Sequence, residues 1–148
     1  MKAILQRVRS ASVSVAGEIC GEINQGLLIF LGIHTDDSEK ELEWIVNKTL
    51  NLRIFSNDAG QFDLSALDIE AEILLVSQFT LYGNCQKGRR PSFTDSAHPS
   101  IAEPLYNLAI DKFKESGLKV ETGRFGANML VDIQNDGPVT MILEREKQ

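Results

Sequence analysis

The sequence predicts an α+β fold: two stacked, largely antiparallel β-sheets, barrel-like, with two main helices packed on one side of a single domain. Three observations carry this reading. Apolar runs of strand length recur along the chain without the regular strand–helix–strand alternation of a parallel sheet. Only two segments pair a helical apolar stripe with an S-x-x-E start. At 148 residues, 43% hydrophobic and 24% charged, the chain has the size and apolar content of one core. No repeat, low-complexity tract or Pro/Ser-rich linker divides residues 1–148.

The elements follow in order. Val13-Ser14-Val15 and Ile19-Cys20-Gly21-Glu22-Ile23 flank Ala16-Gly17-Glu18, a hairpin signal. Gly26 precedes the apolar run Leu27-Leu28-Ile29-Phe30-Leu31-Gly32-Ile33, which reads as a strand covered on both faces. Ser38 and Glu41 form a capping box ahead of a helix with Leu42, Ile45, Val46 and Leu50 on one stripe. Arg53-Ile54-Phe55 and Ile73-Leu74-Leu75-Val76 are further strands, and turn-forming residues 56–60 follow the first of them. From Tyr82 to Pro99 periodicity is lost, and a loop of that length in a small domain points to function. A second box, Ser100 to Glu103, opens a helix whose buried face is Ile101, Leu105, Leu108 and Ala109 and which stops at Gly117. Strands over 118–121, 129–133 and 139–143 complete the chain.

Composition excludes several classes. Fifteen Lys and Arg against 21 Asp and Glu give a formal charge of −6, which rules out grasping nucleic acid with a broad basic face. It does not exclude nucleic acid as a partner. Cys20 and Cys85 form neither a disulfide scaffold nor a CxxC pair and read as free thiols in a reducing compartment. His34 and His98 lie far apart in sequence and lack the usual zinc-site spacing. In Met1-Lys2-Ala3-Ile4-Leu5-Gln6-Arg7-Val8-Arg9 charges interrupt each apolar stretch, which is neither a signal peptide nor a membrane span, and the expected location is the cytoplasm. Candidate nucleophiles (Ser77, Thr80, Cys85, Ser92, Thr94) abound, but no GxSxG, HExxH, P-loop or GxGxxG motif accompanies them.

Three segments remain unusual. Ser77-Gln78-Phe79-Thr80-Leu81 places two hydroxyls and an amide where an apolar strand ends, and Lys87-Gly88-Arg89-Arg90-Pro91-Ser92-Phe93 concentrates three cations in the long loop. The first reads either as a strand turning polar at the surface or as a ligand-binding strand end. The second reads either as a solvated loop or as a phosphate site. Asn135-Asp136-Gly137-Pro138-Val139-Thr140 reads either as a hairpin turn or as a place where bare backbone approaches a ligand.

Together the first and third segments resemble the paired signature motifs of D-aminoacyl-tRNA deacylase. The similarity extends from the N-terminal Met1–Val8 run through the loop at 83–93 to Gly123-Arg124-Phe125-Gly126-Ala127 and Met129. The resemblance implies a cytoplasmic homodimer, without metal or cofactor and without a membrane role. It would hydrolyse the ester between a D-amino acid and the 3′-terminal adenosine of tRNA. Ser77, Gln78, Phe79 and Thr80 would line the catalytic pocket. Gly137-Pro138 would be cis and inserted into the partner's pocket, sharing chiral selection with Phe125, Gly126, Ala127 and Met129. Lys87, Arg89 and Arg90 would contact tRNA phosphates. Attack by water with help from the tRNA 2′-hydroxyl and backbone oxyanion binding is favoured over a Thr80 nucleophile, because no base stands beside Thr80 in these motifs. Steric rejection of L side chains would leave glycyl-tRNA, including glycine mischarged on tRNA-Ala, open to cleavage. The competing functions are a general acyl esterase with a Thr80 or Ser77 nucleophile and a non-catalytic RNA-binding module.

Overall fold

In the opening strand the buried positions fall at Ala3, Leu5, Val8, Ala11 and Val13, so the two-residue alternation of a strand twice stretches to a step of three. The computed structural model describes residues 1–148 and shows why. Strand β1 (Lys2–Val15) gives one edge to β8 (Leu130–Glu144) along most of its length. It divides the other edge between β3 (Gly26–Gly32) and β2 (Glu18–Ile23). Its register against β8 shifts between Gln6 and Val8 and again between Val8 and Ser10. Such bulges bend a strand and re-aim its side chains. Ala3 and Leu5 accordingly join one core, whereas Val8, Ala11 and Val13 join a second.

The sheet continues from β3 to β6 (Glu72–Ser77) and β7 (Val120–Thr122), both steps parallel. Helix α1 (Glu39–Asn51) lies in the connection from β3 to β6, and α2 (Pro99–Glu115) in that from β6 to β7. Successive crossovers of the same hand in the same direction put both helices on one face of the sheet. There α1 and α2 pack together, tied by Lys112 Nζ to Glu39 Oε1 at 3.0 Å and Glu43 Oε1 at 3.2 Å. On the opposite face the bent half of β1 carries β2 over β6 and β7. Asn24 N donates to Glu72 Oε1 at 2.9 Å and Lys119 Nζ to the Glu22 carbonyl at 3.3 Å across this closure. The result is a mostly antiparallel, nearly closed, barrel-like sheet with both helices on one side. A small second sheet pairs β4 (Phe55–Ser56) with β5 (Phe62–Leu64).

Both faces of β3 and β6 are therefore covered, as the unbroken apolar run at 27–31 predicts. Leu27, Ile29, Leu31, Ile73 and Leu75 meet the helices, while Leu28, Leu74 and Val76 fill the barrel. Two expectations are corrected. The Ser100–Glu103 box does not form: α2 begins earlier, at Pro99, with His98 as N-cap, because the His98 ring accepts the Ser100 N–H at 3.2 Å and Pro suits a first helical position. Ile101 consequently points outward and is 44% exposed. Nor do residues 135–140 form a hairpin turn, since one strand, β8, runs through them.

The α1 capping box does form. Ser38 N donates to Glu41 Oε2 at 2.8 Å and the Ser38 hydroxyl to the same oxygen at 2.6 Å, while Lys40 N donates back to Ser38 Oγ at 3.3 Å. The Ser38 hydroxyl is the main cause holding the Glu41 carboxyl below the usual glutamate range, against an opposing effect of burial. A depressed folded value stabilises the fold above the unfolded pKa and loses that contribution as pH falls through the folded one. Ser38→Ala should cost about 1 kcal/mol in denaturant unfolding at neutral pH. The deficit should shrink as the titration descends below the ordinary glutamate range; a deficit constant down to acid pH would exclude this account.

Candidate active site

Parallel strands end on the same side, so β3 and β6 release their chain ends together. The last paired residues are Leu31 and Ser77, and Gln78 N then donates to the Leu31 carbonyl at 2.9 Å before the chain tightens into a 3-10 turn, Phe79–Tyr82. Beside this corner lies a cavity of about 510 Å³. Ser77, Gln78 and Phe79 form one side of it and Phe125, Ala127 and Met129 another; Gly126 also lines it, and the start of α2 contributes Pro99 and Ala102. Two sequence segments nearly 50 residues apart thus meet at one apolar hollow with a polar edge.

The polar edge is mostly main chain. The 3-10 turn spends the N–H groups of Leu81 and Gly83 on Gln78 O and Thr80 O. Those of Phe79 and Thr80 open the turn and have no acceptor inside it. Thr80 is exposed and does not line the cavity, and its hydroxyl accepts a short hydrogen bond from Gln78 Nε2. Neither histidine serves it. His34 Nδ1 accepts the Asp36 N–H at 3.1 Å and its ring rests 5.3 Å from that of Tyr82, while His98 caps α2. Burial raises the Tyr82 and Tyr106 phenols above their ordinary value, with nearby carboxylates including Asp37 and Glu144 adding to it at Tyr82. Tyr106 donates to the Leu75 carbonyl at 2.8 Å and holds its ring 5.9 Å from Phe125, which steadies that wall. Cys20 and Cys85 are free, with their S–H groups directed at the Val13 and Gly83 carbonyls.

Gly137 and Pro138 are elsewhere and do not line this cavity. Gln6 faces Thr140 and Val8 faces Asn135, so residues 136–139 bulge from β8 opposite Arg7 alone. The Gly137–Pro138 peptide is cis and Gly137 has φ +134°. A Cβ there would fall 2.6 Å from Val139 Cγ2 and 3.1 Å from Arg7 Nη2, so only glycine fits. Val139 N donates to Asn135 Oδ1 at 2.8 Å. Arg7, with its side chain 11% exposed, grips the bulge. Its Nε donates to the Asp136 carbonyl at 3.0 Å and its Nη1 to the Ile54 carbonyl at 2.9 Å and Ser56 Oγ at 3.3 Å. The sequence reading missed Arg7, because only the β1–β8 register places it opposite the motif. Lys87, Arg89 and Arg90 are fully outward on a loop pinned by reciprocal Asn84–Ser92 backbone hydrogen bonds of 2.7 and 3.0 Å.

Comparison with known proteins agrees with this architecture. The family model described as D-Tyr-tRNA(Tyr) deacylase matches residues 4–144. The chain is 54% identical over 148 residues to a D-aminoacyl-tRNA deacylase of Thermosipho melanesiensis, covering 99% of each. It is 56% identical over 144 residues to one of Aquifex aeolicus, covering 97% of each. A solved structure titled "c-Myc DNA Unwinding Element Binding Protein" superposes with TM-score 0.93 at 44% identity, over 99% of this chain and 100% of that one. A second, "a probable eukaryotic D-amino acid tRNA deacylase", shares the fold with TM-score 0.86 at 18% identity, over 96% of this chain and 97% of that one.

The Arg7 grip is testable without substrate. Lysine cannot reach both carbonyls with one ammonium, so Arg7→Lys should speed amide exchange at Val139 about tenfold or more, as expected for losing a charge-assisted hydrogen bond worth about 1.5–3 kcal/mol. Core amides of β3 and β6 should be unaffected. Unchanged protection at residues 136–139 would show that the bulge holds its shape without the guanidinium.

Proposed function

The chain belongs to the D-Tyr-tRNA(Tyr) deacylase family, and on that basis we propose that residues 1–148 form one deacylase domain that hydrolyses D-aminoacyl-tRNA. The scissile bond joins the D-aminoacyl carbonyl to the 3′-terminal adenosine, and the products are free tRNA and the D-amino acid. The observation that carries the mechanistic part is the pairing of an apolar cavity with main-chain donors at Phe79 and Thr80, in the absence of a side-chain nucleophile beside a base.

In this reading the substrate carbonyl oxygen faces those two N–H groups, which hold the negative charge that develops on attack. Water is the nucleophile, positioned with the help of the substrate's own 2′-hydroxyl, and its proton ends on the departing ribose oxygen. Ser77 and Gln78 line the pocket floor beside it. An aminoacyl ester is already activated, so positioning and oxyanion binding suffice. A Thr80 nucleophile is disfavoured because its hydroxyl is engaged by the Gln78 amide and both imidazoles are committed to backbone N–H groups elsewhere.

Selectivity is assigned to the Gly137–Pro138 bulge acting in the pocket of a second copy. In its own chain the bulge lies away from the cavity. Strand β8, which carries it, pairs only with β1 and exposes Leu130 and Ile142 at 67% each, apolar surface that a dimer partner would cover. A main-chain wall cannot swing aside as a rotamer does. With Phe125, Gly126, Ala127 and Met129 it leaves room for a D side chain and rejects an L one. Glycyl-tRNA, including glycine on tRNA-Ala, has no side chain to reject and is also cleaved. Lys87, Arg89 and Arg90 take tRNA phosphates, and the working location is the cytoplasm.

Incubation with D- and L-tyrosyl-tRNA should release free amino acid only from the D ester, and glycyl-tRNA should be hydrolysed as well. Equal rates for the two tyrosyl enantiomers, or no release from either, would reject the reading, and resistance of glycyl-tRNA at high enzyme would reject steric exclusion. Thr80→Ala should keep turnover; complete loss of turnover with substrate binding intact would instead make the hydroxyl the nucleophile.

A further inference from the structure

Phe79 contributes its main chain to the turn just described, yet its ring is 57% exposed. A large aromatic left open at a cavity rim calls for a partner. Its neighbour is Phe93, 5.2 Å away at an interplanar angle of 67°. Gly83 favours this approach: a Cβ there would sit 3.0 Å from Phe93 Cε1 and 3.0 Å from the Thr80 carbonyl oxygen, so the ring would have to shift. The contact is edge-to-face, Phe79 keeps more than half of its surface open and Phe93 is half-buried, so the pair offers ring surface for stacking.

The same Phe93 ends the segment bearing Lys87, Arg89 and Arg90, and Asn84 and Ser92 clamp its base. Asn84 Oδ1 also accepts the Gln86 N–H at 3.0 Å, which shapes the ascent to the cations. All three cations are exposed and none joins an ion pair, in contrast to Lys2, Arg7, Arg9, Arg53, Lys112 and Lys119. Open aromatic faces beside unpaired cations are the chemistry that holds single-stranded nucleic acid, with bases on the rings and phosphates on the charges.

We propose that the Phe79–Phe93 pair and the Lys87–Arg90 loop form a platform for the unpaired nucleotides that precede the terminal adenosine, with bases stacked on the rings. The proposal rests on the deacylase reading and adds a subsite to it. The platform reads stacking surface rather than base edges, because phenylalanine has no hydrogen-bonding group to offer a base. It also binds single strand in preference to duplex, whose bases already stack on one another.

The test compares three D-tyrosyl esters: of adenosine, of a single-stranded tetranucleotide ending in the same adenosine, and of full tRNA. Phe93→Leu retains apolar packing against Phe79 and Gly83 but removes the ring, and Phe93→Tyr restores it. Phe93→Leu should raise KM about tenfold for the tetranucleotide and the tRNA, the loss expected when one base gives up its aromatic partner, with kcat unchanged. The adenosine ester should be cleaved as by the parent enzyme, and Phe93→Tyr should behave as the parent on all three. Equal loss on all three esters would make Phe93 a support for the turn and overturn the platform. A penalty confined to full tRNA would place the contact on the duplex and overturn it too, as would no penalty on any ester. Failure of the unaltered enzyme on every ester would overturn the deacylase reading itself, and the platform with it.

Discussion

The fold depends on two adjacent parallel strands being buried on both faces. Every side chain of β6 from Ile73 to Val76 is fully enclosed, and β3 is nearly so, which leaves their backbone polar groups no partner but each other and the neighbouring strands. One face needs helices and the other needs more sheet. The helices come from crossovers between the parallel strands. The extra sheet comes from β1, which is long enough to pair with β3 at one end and then bend over the barrel interior at the other. A parallel pair also delivers two strand ends to the same place. The hollow beside Ser77 is a consequence of that geometry, since the enclosing layers have to part where the strands stop.

Two strained-looking features turn out to be complementary uses of main chain. At the 3-10 turn, N–H groups are left unspent because a helix cannot satisfy its own first donors. At the 136–139 bulge, backbone is pushed out of register and then fastened by a side chain, Arg7, whose guanidinium fork reaches carbonyls on two separate segments. One feature presents donors and the other presents a surface. The surfaces they present are main chain in both cases, although the bulge relies on the Arg7 side chain to fasten it. The proposed mechanism follows the same logic: with no nucleophile–base pair at the cavity and an ester that is already reactive, fixed donors and a fixed wall would be the useful parts.

What could be read from the chain beforehand divides along physical lines. Local signals were legible. The Ser38–Glu41 box, the doubly covered run at 27–31, the hairpin at 13–23 and the Gly117 stop, with φ +82°, depend on neighbours within a few residues. The same holds for the polar strand end at 77–78. Competition between equivalent local signals was not legible: His98-Pro99 outbid Ser100 as a helix start because a ring nitrogen and a proline together supply what one serine offers. Register was least legible of all. Residues 129–133 and 139–143 read as two strands, and only the pairing with β1 makes them one strand with a bulge. The role of Arg7 vanished with that register, whereas the meeting of segments 77–79 and 125–129 at one cavity was implied by the family resemblance and not by any local signal. The family resemblance supplied the motif pair and its assignment to two subunits, but not the Arg7 contacts that hold the bulge.

Net charge looks at first like the simplest argument about partners, and the structure changes what it means. With −6 overall, long-range attraction to a polyanion is weak, so contacts with RNA have to be short-range and few. Six of the twelve basic residues outside the 87–90 loop are occupied by carboxylates, as Lys112 is by Glu39 and Glu43 and Arg53 is by Asp63. The cations of the 87–90 loop are not, and they stand on the same loop that bears Phe93 against the cavity rim. Acidity elsewhere then acts as a filter. It disfavours a broad hold on the body of a nucleic acid, while the loop that bears Phe93 sets three unpaired cations where an exposed end can approach. Under the proposed reading, grip on the terminus is independent of sequence and grip on the variable body is weak. Discrimination would then fall to the acyl group, which is where the proposed wall of backbone can exert it.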